Sequence, residues 1–144
     1  MASTADRLTN VGQHETGILD TNMPMAASSE TFLNCFVNVD ANGRVLNGTD
    51  AAAQRCAGVS AERRSNGAVA GATRANVRTG VVVEFFISGV TIDGSDVGRN
   101  CVIFDNDTVT DALTAVNDVV VGVVRRVEGG RAFVEVGRIA LVTG

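Results

Sequence analysis

The sequence predicts an all-β protein, a small β-barrel or β-sandwich domain carrying an extended N-terminal arm. Three observations point there. Hydrophobic residues make up 45% of the chain and come mainly from Val and Ala, with six Phe and neither Trp nor Tyr; Val favours half-buried pleated surface. Periodic segments are short and punctuated by glycine, sixteen in all, which is the spacing of strands and tight turns. At 144 residues the chain suits one domain.

Residues 1–31, "MASTADRLTNVGQHETGILDTNMPMAASSET", are rich in Ser, Thr and Asn, carry the single Pro (Pro24), and place apolar residues singly. No period is sustained, so this stretch reads as an arm. Leu8, Val11, Ile18, Leu19, Met23 and Met25 are its candidate anchors on a neighbouring surface. Removal of residues 1–25 is accordingly expected to spare the fold.

From Phe32 the pattern changes, and residues 32–144 read as a single β domain. "FLNCFVNV" predicts a strand, "DANGR" a tight turn at Asn42-Gly43, and residues 44–47 the returning strand. A short helix is expected around Thr49 to Gln54. "AERRSNGAVAGATRA" reads as a connection, and "NVRTGVVVEFFIS" as extended chain interrupted by a glycine.

"DVVVGVVRRVEGGRAFVEVG" reads as two strands joined at Gly129-Gly130. That register sets Glu128 opposite Arg131, Arg126 opposite Phe133 and Val124 opposite Glu135. Val121, Val123, Val127, Ala132, Val134 and Val136 then form the core face. Arg125 falls on this apolar face, so it is expected at a barrel rim, a subunit contact or a bulge, paired with a carboxylate, because an unpaired buried charge is costly.

Charge and composition exclude several functions. A net charge of −4 argues against nucleic acid as a partner, since affinity for phosphate backbones rests on clustered positive charge. All twelve basic residues are Arg, which removes Schiff-base, P-loop and general-base lysines. Cys35, Cys56 and Cys101 are odd in number, widely spaced and flanked by apolar residues; they read as small core residues in a reducing cytoplasm rather than as metal ligands or a disulfide framework. No metal or cofactor is expected. The longest apolar run, "VVVGVV", is far shorter than the roughly 20 residues that span a bilayer, and no signal-peptide pattern opens the chain, so no membrane partner is expected.

Two segments imitate catalytic motifs. "VIFDNDTVTD" (102–111) is similar to the first motif of haloacid-dehalogenase-type phosphatases. Thr108 stands where that family has Gly, only β-like sequence follows, and the chain lacks Lys. As an EF-hand loop the same stretch fails at Thr110 and Val116. "GVTIDGSDVGR" is similar to the β-hairpin motif of trimeric dUTPases, but Val97 replaces the expected Tyr. His14, the single His, has no nucleophile at a meaningful spacing. No catalytic residue is expected.

The order "GRVLNGTDAAAQRCAGVSAERRSNGAVAGATRANVRTGVVVEF", "DVGRNCVIFDNDTVTD", "NDVVVGVVRRVEGGRAFVEVG" resembles small decoration, or capsid cement, proteins of tailed phages. Asp96, Gly98, Asp105, Asp107, Thr108 and Val109 match the family's central element; Arg99 replaces the usual Lys and Val102 a common aromatic. Gly122, Val123, Gly130, Val134 and Val136 match its last element. The resemblance covers residues 43–137 and leaves the arm outside it.

It implies a virion protein made in the bacterial cytoplasm that binds the major capsid protein on the outer shell, stabilises contacts between capsomers and assembles as a homotrimer. Alternatives are a head-tail joining or tail-tube protein, or a trimeric β nucleotide hydrolase. On this reading Asp105 to Asp111 is a polar connection after a strand. "GRVLNGTDAAA" and "GRNCVIFDNDTVTDAL" also echo each other, as if two strand-turn-strand units closed one barrel.

Overall fold

The structure, a computed structural model, describes residues 3–6, 11–12 (backbone only), 17–111 and 115–137. It is all-β, as expected. The strands are β1 (Val11–Gly12), β2 (Ile18–Pro24), β3 (Glu30–Thr31), β4 (Phe36–Val39), β5 (Val45–Asn47), β6 (Arg55–Ser60) and β7 (Arg64–Ser65). They continue with β8 (Arg74–Thr79), β9 (Val82–Ile87), β10 (Asn100–Asp105), β11 (Thr108–Thr110), β12 (Val120–Glu128) and β13 (Arg131–Val136).

Two curved sheets pack together. The first runs β1-β9-β11-β10-β12-β13, and β13 pairs back onto β9, closing a barrel of β9, β11, β10, β12 and β13. Only β9 and β11 run parallel within that ring. Its inward positions alternate as the pleat requires: Val83 and Phe85 on β9, Ala132, Val134 and Val136 on β13, all buried.

The second sheet runs β2-β8-β6-β4-β5. Met25, just past β2, bridges Val45 of β5, and the Ala26 amide donates to the Val45 carbonyl at 2.8 Å, so this sheet also curls back on itself. Inside lie Met25, Val37, Val45, Ala75 and Val77. The chain passes between the sheets at Gly80–Val81, where the Gly80 amide donates to the Val136 carbonyl and the Val136 amide to the Val81 carbonyl.

β4 serves both cores. Val37 points into the second, while Phe36 and its cross-strand partner Val59 point into the first barrel. There the Phe36 ring stacks on Phe85 with centroids 4.1 Å apart.

Several local expectations change. Residues 49–54 form a loop before β6, not a helix, because their polar groups bond across the chain. The Asn38 side-chain amide donates to the Thr49 carbonyl and to Gln54 Oε1, and the Asp50 carboxylate accepts from the amides of Val116 and Asn117. The strand expected from Phe32 starts at Phe36, since Asn34 takes a positive φ. The two echoing segments fall in different sheets, with β5 in the second and β10–β11 in the first, so they do not close one barrel together.

In the last hairpin Gly129 and Gly130 make the turn, with φ of 57° and 74°; Glu128 faces Arg131 and Arg126 faces Phe133 as expected. Past Arg126 the register slips: Val124 faces Val134, and Val123 faces Glu135. Arg125 is the extra residue of a bulge, which turns Val124 rather than Val123 into the main core.

Cys35 and Cys101 are buried, and Cys56 packs against the first core. Burial pushes the thiols of Cys56 and Cys101 up to about 12. Neither should react with a thiol reagent at pH 8 until denaturant is added; stoichiometric labelling of the folded protein would contradict the packing. Because these folded-state values lie above the ordinary 9.0, the unfolded chain loses the protons first. Stability is therefore expected to hold below pH 9 and to fall as pH rises towards 12, which unfolding midpoints across that range would measure.

Candidate interaction surface

The outer face of the first barrel carries a patterned set of side chains. Strand pairing sets Glu128, Arg131, Phe86, Thr108 and Asp105 in one row across β12, β13, β9, β11 and β10. Beside it runs Arg126, Phe133 and Glu84, and beside that Glu135 with the bulged Arg125. Opposite residues share a face, so a local pattern becomes a two-dimensional patch.

Its arginines lie over its aromatics. The Arg131 guanidinium carbon sits 4.3 Å from the Phe86 ring centroid and that of Arg126 4.0 Å from Phe133, within cation–π range. Each arginine also has a carboxylate: Arg131 meets Glu84 at 3.8 Å, Arg126 meets Glu128 at 3.2 Å, and Arg125 Nε donates to Glu135 Oε1 at 2.8 Å. Phe133 is covered, whereas Phe86 remains 43% exposed, as does Phe104 at 46%. Three arginines stand against four carboxylates, Glu84, Glu128, Glu135 and Asp105, so the patch carries little net charge, and alternating Arg, Phe and Glu is chemistry suited to a protein surface rather than a polyanion.

A second feature lies at the β10–β11 turn. Asn106 is fully buried, and its side-chain amide reads a peptide backbone at two points: Oδ1 accepts from the Ser3 amide at 2.8 Å, and Nδ2 donates to the Ser3 carbonyl at 3.0 Å. Nδ2 also donates to Asn47 Oδ1. Nearby, Asp6 Oδ1 accepts from the Leu33 amide at 2.9 Å. β1 then lies on β9, Val11 opposite Val83 and Gly12 opposite Val82.

The expected arm anchors are dispersed. Leu8 lies outside the described residues, and of Val11 the backbone alone is placed, in β1. Ile18 and Leu19 are 65% and 51% exposed on β2. Met23 packs partly, and Met25 wholly, inside the second core. Met25 is therefore not an anchor on a neighbour, and deleting residues 1–25 would remove an edge strand and a core side chain. Arg125 has the bulge and the carboxylate expected of it.

Phe86, Arg131 and Asn106 were not among the expected contacts. "EFFIS" held a signal for Phe86, because two adjacent Phe on a strand must face opposite ways. Asn106 carried none beyond a turn residue.

The catalytic look-alikes resolve into turns. Asn106 and Asp107 make the β10–β11 hairpin turn, and Asp107 Oδ1 accepts from the Thr108 hydroxyl. "GVTIDGSDVGR" contains a 3-10 turn, Gly94–Asp96, capped by Asp93; hydrogen bonds from the Ser95 hydroxyl and amide hold the Asp93 carboxyl below its usual value. Among the described residues no three His, Cys, Asp or Glu converge as metal ligands. Comparison with protein-family models, curated proteins and solved structures finds no match to this chain.

Proposed function

We propose that this protein is a binding component of a phage head, of the capsid decoration kind, which attaches to the outer shell and ties neighbouring capsomers together. The observation that carries the reading is the ordered resemblance over residues 43–137, whose matching positions are turn and strand signatures. The Arg, Phe and carboxylate patch supports it, because aromatic residues and arginine supply a disproportionate share of interface energy. Each copy need contribute only a few kcal/mol when many act on one shell. A homotrimer is the assembly proposed.

The test is co-sedimentation of purified protein with empty head shells of its own phage, with bound copies counted by quantitative gel. Saturation at a number commensurate with the shell's local symmetry is expected. Absence of binding, or about a dozen copies, would replace this reading with a joining-ring or tail role. The double substitution Phe86→Ala, Arg131→Ala is expected to weaken shell binding by roughly tenfold or more while leaving the folded state populated, since both side chains are substantially exposed. Unchanged binding would move the contact off this patch.

A further inference from the structure

One seam of the closed barrel, β9 against β11, is short. β11 covers β9 only along Phe86 and Ile87, and the Val82–Val83 end of the same edge is covered by β1 from the arm. A sheet edge is a template for any extended chain, because its bonds are made by backbone. The Asn106 contact has the same character: a side-chain amide that takes both the N–H and the C=O of Ser3 selects main chain, whichever molecule supplies it.

The arm is held shallowly for so long a segment. Residues 4–6 and 17–22 are exposed throughout, so little apolar burial opposes their release. Ile18 and Leu19 stay largely in solvent on opposite faces of β2, so either face is open to a contact with a second copy. An arm fixed by backbone bonds, with uncovered side chains, makes equal contacts on its own domain or on an identical one, which is the condition for strand exchange.

We propose that the slot formed by Asn106, the Leu33 amide and the Val82–Val83 edge of β9 receives the N-terminal arm of a second copy of this chain, so that copies assemble by exchanging arms. The occupant is this chain's own residues 3–6 and β1 (Val11–Gly12), and Ile18 and Leu19 are covered at the junction between copies. The proposal is independent of the capsid reading, because it needs only the purified protein.

The test uses the full chain carrying Asp6→Cys and Leu33→Cys, positions joined by a hydrogen bond across the slot, oxidised with glutathione disulfide at several protein concentrations. Covalently linked multiple copies on a non-reducing gel are expected. A disulfide confined within single chains would overturn the proposal, and so would two thiols that stay free in folded protein. Should that variant not fold, the unsubstituted chain decides: hydrogen exchange at Val82, whose amide faces the β1 side of β9 while that of Val83 faces β13, is compared with the mass in solution. Protection in an oligomer that fades on dilution as it dissociates supports exchange; protection in a monomer overturns it.

Discussion

Replacing Phe36 with alanine is expected to cost about 3–5 kcal/mol, the range for a fully buried aromatic side chain. Phe36 is 0% exposed and stacks on Phe85 inside the first barrel, although its strand belongs to the second sheet. Truncation leaves a ring-sized void where the two layers meet, and its neighbours are closed-barrel strands with little freedom to collapse into it. In guanidinium the midpoint should fall sharply while unfolding remains a single transition, since one side chain roots both cores. On heating, a loss of this size lowers the midpoint by on the order of 10 °C. A cost below about 1 kcal/mol, outside the usual range for such a truncation, would mean that the rings are not stacked as described.

Phe36 also shows what local sequence can and cannot convey. Alternation in "CFVNV" states that Phe36 and Val37 face opposite ways. It cannot state that both faces are buried, because that depends on a second layer formed by β9 through β13, far along the chain. The terminal hairpin was legible as far as its glycine turn and first pairs reach. The slip at Arg125 was not, since a bulge is decided by which residue across the strand can hold the arginine, here Glu135.

Met25 was hidden for a related reason. It enters a core alone, from a polar stretch, and a single buried residue has no period to detect. The interaction surface was partly visible: Arg125 stands out as a charge on an apolar face. Asn106 could not be found, because its role is set by Ser3, 103 positions away. Residues whose work is local carry local signals; those that join distant segments carry almost none.

The second large effect is expected at Gly58, where alanine should cost roughly 3 kcal/mol or more, combining backbone strain with overpacking. Its φ is +145°, a conformation side chains rarely adopt, and it sits where the β4–β6 register slips between Val37 and Asn38. A Cβ there would lie 2.5 Å from the Arg78 carbonyl oxygen and 2.9 Å from Thr79 Cγ2, so the nearest obstacle is backbone, which cannot swing aside as a side chain can. Gly130 is the control. It too has a positive φ, but a Cβ would meet nothing within 4 Å, so Gly130→Ala should cost only about 1 kcal/mol of conformational strain. Chemical unfolding of the two variants separates close approach from backbone freedom. A Gly58→Ala loss equal to that of Gly130→Ala would place β6 and β8 further apart than described, and would loosen the β6–β8 pairing beside the core of Met25, Val37 and Val77.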